Sequence, residues 1–235
     1  MLAVAFREYA SFFRTPLGWL VVALFAFLSG ISFVTATLVP GEPASLRAFF
    51  GEWWGLLIVV CPAISMRLLS EEIRTGTIEP LLTSPRAEFG IVAGKFAAAL
   101  AFFATALAPT LLFVATLMAL ARPEVGPMFS GYLGMLLLGS LYLAVGTFVS
   151  SLTASQTLAF LATLFSIMLV EFGSQRLAAI APQPLDRFVS ALSASARIGD
   201  FAKGIVDTSH VAFFVCASLL FVSLAAITLR VRRWR

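Results

Sequence analysis

The chain has 235 residues, of which 60% are hydrophobic and only 12% charged, and its mean hydropathy is +0.98. A soluble domain of this length carries charge on roughly a quarter of its residues, so a water-solvated globule is excluded and the outer surface must be solvated by lipid. The net charge of +4 does not indicate nucleic acid. Arg230, Arg232, Arg233 and Arg235 follow directly on an apolar segment, as a flank facing anionic headgroups does, and no basic stripe with interleaved aromatics occurs.

A bilayer core of ~30 Å needs ~20 mainly apolar residues per helix, so residues 1–235 are expected to form one all-α integral membrane domain of six transmembrane helices. Residues 1–14 predict an amphipathic helix in the headgroup plane. Leu2, Phe6, Tyr9 and Phe13 recur at helical spacing, and Arg7, Ser11 and Arg14 share another face. Span one is expected over Leu17–Val39, a run too long for the apolar core of a cleavable signal, with the turn Pro40-Gly41-Glu42-Pro43 after it. Span two is the shortest: fourteen residues separate Glu52 from Arg67. It reaches spanning length only as Ala48–Leu69, with Trp53 and Trp54 as an interfacial belt, Pro62 as a kink and Arg67 snorkelling.

Span three is expected over Gly94–Leu120, interrupted at Pro109, with a turn at Arg122–Pro127. No charge occurs from Val125 to Val170; the small polar cluster Ser150, Ser151, Thr153, Ser155 and Gln156 divides this run into span four, Tyr132–Val149, and span five, Thr157–Phe172. Gly139, Gly146 and Ser150 share one face of span four and predict close helix packing. Residues 173–207 form a longer connection with Pro182 and Pro184, dipping into the membrane edge, before span six at Thr208–Leu229.

With the N-terminus inside, ten Lys and Arg residues are cytoplasmic (Arg7, Arg14, Arg67, Arg74, Arg86, Lys95 and the four C-terminal arginines) and six are outside: Arg47, Arg122, Arg176, Arg187, Arg197 and Lys203. The bias follows the positive-inside rule and puts both termini in the cytoplasm.

Catalytic and cofactor chemistry is not expected of this chain. Gly90–Phe96 looks like a phosphate-binding loop, but three residues separate its glycines instead of four, and Phe96 stands where a Ser or Thr must hold Mg²⁺. Lys95 is expected to snorkel at a helix entering the membrane. His210 is the only histidine, which excludes His-paired zinc sites. It is expected to be interfacial and structural. Cys61 and Cys216 sit in apolar segments and imply neither a disulfide framework nor a metal site. Glu171 is the one carboxylate that could lie within a span. Fifteen residues after Gln156, it stands ~22 Å along the helix and is expected at its solvated outer end.

The information lies between spans two and three, in Ser70–Pro85. Charged residues alternate there with Ile73, Ile78, Leu81 and Leu82 on the cytoplasmic side, over a connection longer than the usual handful of residues. Gly76 permits a turn, and Thr77 can cap the stretch after it. The run Pro62-Ala-Ile-Ser-Met-Arg67, Glu71-Glu72, Gly76-Thr77-Ile78-Glu79, Leu81-Leu82-Thr83, Pro85 and Gly94-Lys95-Phe96 resembles the signature of ABC-2-type permeases, closest to their gliding-motility-associated (GldF-type) branch. The similarity continues through Gly131–Gly134, Gly139, Tyr142–Ala144, Phe148–Thr153 and Phe201–Thr208.

The resemblance implies a six-span permease subunit of an exporter in the bacterial inner membrane. It would dimerise with a second copy or a paralogous permease and bind separate cytoplasmic ATPase subunits. ATP and Mg would sit on those partners, and an auxiliary periplasmic subunit would be a further partner. It also implies that the segment between spans two and three is a coupling helix docked in the ATPase, beside the N-terminal helix. Carried onto this chain, the docking residues are Glu71, Glu72, Arg74, Gly76, Thr77 and Glu79, with Leu81 and Leu82 as anchors. Pro80 departs from the family pattern: the coupling helix either starts there or is broken there. The alternative is a stand-alone ion-coupled transporter or channel, which would show internal repeats and buried mid-membrane charge.

Overall fold

The computed structural model describes residues 2–37, 45–77, 88–120, 124–180 and 193–232, and the regular structure among them is entirely helical. In chain order the helices are α1 (Leu2–Arg14), α2 (Pro16–Thr37), α3 (Arg47–Glu52), α4 (Trp54–Ser65), α5 (Ser70–Thr75), α6 (Glu88–Leu107), a 3₁₀ turn (Ala108–Thr110), α7 (Leu111–Leu120), α8 (Val125–Leu152), α9 (Gln156–Ile180), α10 (Ala194–Ala202) and α11 (Thr208–Arg232). Five stretches are long and apolar enough to cross a bilayer: Pro16–Thr37, Phe89–Leu120, Val125–Leu152, Gln156–Leu177 and Thr208–Val231. The architecture is that of an all-α, multi-pass membrane protein.

The outer surface requires an apolar solvent. On α2, Leu20, Leu24, Phe27, Ile31 and Val34 are each about half exposed or more and recur every three or four residues, which is one continuous stripe of a helix. Leu158, Leu161, Phe165, Leu169 and Phe172 repeat the pattern on α9. Contiguous exposed apolar faces of this length are not found on soluble monomers.

The centre of the bundle is α8. Its spanning window is 61% buried, against 22–39% for the other four. Small residues let neighbours approach on several sides: a Cβ on Gly131 would meet the ring of Phe50, and one on Gly134 the side chain of Phe201. The segment 47–70 runs parallel to α8 along nearly its whole length. Arg47 pairs with Glu124 at 2.8 Å, Phe50 faces Gly131, Ser65 faces Gly146, and the amides of Leu69 and Ser70 reach Ser150.

That segment is not the single helix Ala48–Leu69 expected from sequence. It is divided at Trp53 into α3 and α4, while Pro62 lies inside α4. Nor is Trp53 part of an interfacial belt: it is buried, against Phe25 and Phe49 at ring separations of 4.9 and 4.5 Å. The physical reason is the aromatic cluster of Phe25, Phe33, Phe49, Phe50 and Phe113, which offers the indole more contact than a headgroup region does.

Elsewhere the boundaries move outward. α8 begins seven residues before the expected Tyr132, and α9 runs to Ile180, past Phe172. The stretch Phe89–Leu120 is interrupted at Pro109 by the 3₁₀ turn, where sequence places it. Part of the 173–207 connection is helical: α10 lies against the first half of α8, with Ile198, Phe201 and Ala202 buried.

Candidate functional site

Two polar clusters are built into this apolar bundle, one seated beside the C-terminal end of α8 and one against its interior at Tyr142. The first joins α1, α5 and α6. Lys95, in the second turn of α6, is 1% exposed, and its Nζ lies 3.1 Å from Glu8 and 2.9 Å from Glu72. The expected snorkelling lysine is therefore corrected to a buried ion-pair centre. Two carboxylates from distant segments converge on it, so the ammonium need not reach water. Arg7 adds a second cation to Glu8 at 3.2 Å. Burial pushes the Glu72 carboxyl above the ordinary carboxylate range, against the opposing pull of Lys95.

Glu8 also changes the orientation of α1. Its inward face is Val4, Glu8 and Phe12, while Phe6 is 75% exposed. Apolar spacing alone puts Phe6 on the packing face. Paired with Lys95, Glu8 turns toward the bundle, and that pairing rather than apolar spacing sets the rotation of the helix. Phe12 stacks on Phe102 at 4.5 Å and Tyr9 hydrogen-bonds Thr105 at 2.9 Å, fastening α1 along α6. Arg67 ties the same end together. Its guanidinium donates to Thr15 at 2.9 Å and Ser11 at 3.3 Å and lies 4.5 Å from the centre of the Phe12 ring.

The docking residues expected on this segment separate by orientation. Glu71, Arg74, Gly76 and Thr77 are exposed, whereas Glu72 turns inward to Lys95. Gly76 has φ +70° and ends α5 in the left-handed conformation that glycine adopts without a Cβ penalty. Thr77 bonds Thr75 at 2.9 Å through their hydroxyls. Glu79, Leu81 and Leu82, and with them Pro80, lie outside the described residues.

The three packing residues sit where α8 meets its neighbours. A Cβ on Gly139 would stand 2.2 Å from the Phe103 ring, and one on Gly146 1.9 Å from the Ser65 hydroxyl. Ser150 has a hydrogen-bonding role as well: its Oγ accepts from the amides of Leu69 and Ser70 at 3.2 and 3.0 Å and donates to the carbonyl of Met66 at 3.1 Å. It thereby satisfies backbone groups left open at the turn between α4 and α5.

The second cluster is centred on Glu171, which is 1% exposed. The solvated helix end expected from sequence is corrected: α9 continues nine residues, ~14 Å, beyond it, and α10 covers it. Four donors converge on the carboxylate. Tyr142 Oη at 2.9 Å and the Ala194 amide at 3.2 Å donate to Oε1; the Ser195 amide at 3.1 Å and the Ser193 hydroxyl at 3.3 Å donate to Oε2. The carboxylate thus caps the first turn of α10 from another helix, as an N-cap side chain does within one.

No family model and no curated protein matches this chain. Its function is therefore argued from these residues. Sequence reasoning missed Glu8, gave Tyr142 no role beyond the resemblance, and took Lys95 and Glu171 for interfacial charges. For Lys95, Tyr142 and Glu171 the available signal was an ionisable or hydroxyl group inside a run otherwise free of charge, a position that is functional by default in a membrane; Glu8, beside Arg7, offered no such signal. His210, at the start of α11, lies 2.8 Å from Arg197 and 3.2 Å from Asp200, within the connection that holds α10 to α11. Cys61 is buried and Cys216 exposed, both as free thiols.

Proposed function

We propose that this chain is the transmembrane permease subunit of an ATP-driven ABC transporter, an exporter of the ABC-2 type in the bacterial inner membrane. In this reading the segment 47–70, parallel to α8, completes a sixth span beside the five long apolar stretches, which leaves both termini and the α5 turn in the cytoplasm. The chain pairs with a second permease, and cytoplasmic ATPase subunits, carrying ATP and Mg, grip the exposed face of α5.

The observation that carries this reading is the buried Glu8–Lys95–Glu72 junction. Breaking a buried ion pair on one side costs about 3–5 kcal/mol, so α5 is braced against α1 and α6 rather than hanging as a loose loop. A push on Glu71, Arg74 and the Gly76 turn is then transmitted to the helix that begins at Glu88 and, through Ser150, to α8. A motor whose nucleotide states favour different positions of α5 thereby biases the bundle between conformations.

The test is co-purification. A P-loop ATPase should accompany the wild-type chain and be lost in the charge reversal Glu71→Arg/Arg74→Glu, whose side chains face outward. Labelling of Thr77→Cys only from outside the cell, or transport by the pure chain without an ATPase, would overturn the proposal. A second reading, an ion-coupled transporter acting alone, is favoured by one observation, the carboxylate of Glu171 buried inside a helix long enough to span.

A further inference from the structure

Beside Glu171 lies a cavity of about 420 Å³, within the range of small-molecule sites. Its floor is α8, its walls are α9 and α11, and Ala194 of α10 closes one end. Phe148, Phe213 and Phe221 line it, and Glu171 is its one ionisable carboxylate. Val170 and Leu220, at its edge, are each about half exposed, so the mouth opens through the flank of the bundle that apolar side chains cover.

Among the described residues, Glu171 is held by hydrogen bonds rather than by an ion pair. Two of the four groups bound to Glu171 are backbone amides, which only donate, and two are hydroxyls, so its oxygens are surrounded by hydrogen-bonding groups. Among the described residues no lysine, arginine or histidine nitrogen lies within ion-pair distance of it. The start of α10 supplies about half a unit of positive charge, and the remainder faces apolar walls. Aromatic faces add attraction for a cation: Arg197, which does not line the cavity, already lies 4.1 Å from the centre of the Phe213 ring.

A second groove of about 560 Å³ lies between α6, α8 and α11, but its polar groups are the hydroxyls of Ser140 and Ser218, 3.2 Å apart. It offers shape without charge and selects nothing ionic.

The geometry points to the α8–α9–α11 cavity as a binding site for a hydrophobic monocation that enters laterally from the bilayer, its charge set toward Glu171 and its apolar body against the phenylalanines. As a site of transported substrate this rests on the permease reading; as a binding site it does not, so the test uses the chain without any ATPase.

The probes are tetraphenylphosphonium and tetraphenylborate, ions of nearly one shape and opposite charge, titrated against the purified full chain in detergent micelles with empty micelles subtracted. Saturable tetraphenylphosphonium binding, at least about tenfold tighter than tetraphenylborate, is expected, that being the scale of one well-placed charge pair. Glu171→Gln should abolish the preference between the two ions. Ala217→Trp, which fills the cavity from α11 without touching the carboxylate, should block the cation, and Leu137→Trp in the uncharged groove should not. Equal binding of the two ions, or an unchanged preference in Glu171→Gln, would overturn the assignment, as would undiminished cation binding in Ala217→Trp. None of these outcomes depends on whether an ATPase drives the chain.

Discussion

The two buried clusters solve the same problem differently. At the α5 end, two carboxylates share one lysine, and each charge has a charged partner within 3.1 Å. At the α10 end, one carboxylate is held by two hydroxyls and two amides and meets no cation among the described residues. The first arrangement is closed: its charges answer one another, and it serves as a brace between helices. The second holds its carboxylate by hydrogen bonds, with no ion pair among the described residues, and stands beside a cavity. Hydrogen bonding and charge balance are separate requirements of a buried group, and a site able to receive an ion is one where the first is met and the second is not.

The largest effect should come from breaking the brace. Lys95→Met strands Glu72 and leaves Glu8 only the exposed Arg7, and it is expected to destabilise the bundle by about 3–5 kcal/mol, read as a lowered midpoint of thermal unfolding in detergent. Adding Glu8→Gln and Glu72→Gln to it should restore much of that loss, because the stranded charges are removed. Glu171→Gln should cost less, about 1–3 kcal/mol, since the amide nitrogen that replaces one oxygen faces donors from which it cannot accept. The same measurement ranks the two clusters directly, and a larger loss at Glu171 than at Lys95 would reverse the contrast between closed brace and open site.

Ser150→Ala separates the brace from its seat on α8. It removes the acceptor for the Leu69 and Ser70 amides and is expected to cost about 1–2 kcal/mol, with faster hydrogen exchange confined to the α4–α5 turn. Tyr142→Phe deletes one neutral donor of four and should cost about 1 kcal/mol, leaving the cation preference of the cavity in place. The smallest effect is electrostatic. Glu72 has its carboxyl raised in the folded protein, so the folded state holds the proton more tightly than the unfolded one. Its contribution to stability is therefore full below the ordinary glutamate value of about 4.3 and is lost as pH rises through the higher folded value. A thermal midpoint that falls across that window in the wild type, and falls less in Glu72→Gln, is the expected signature.

Much of this was legible beforehand because lipid imposes a coarse rule. A helix in hydrocarbon must be apolar over a fixed length, and the runs at 17–39, 94–120 and 208–229 carry that signal residue by residue. Pro109 and Gly76 were legible for a related reason, since a missing amide and a missing Cβ act locally. The orientation of α5 was not. A helix of six residues has too little period to tell Glu71 from Glu72, and only the position of Lys95 on another helix separates the outward carboxylate from the inward one. Trp53 failed as a belt residue because the cluster that buries it comes from three helices.

Local pattern dictates helices, long apolar segments and several of the turns between them, because those properties depend on neighbours within about twenty positions. Which charges are buried is set by packing between distant helices. Glu8 and Lys95 are 87 positions apart, and Glu171 meets Tyr142 and Ser193 from two other stretches of chain. Whether a charge can leave water depends on who waits for it in space, and no local pattern records that.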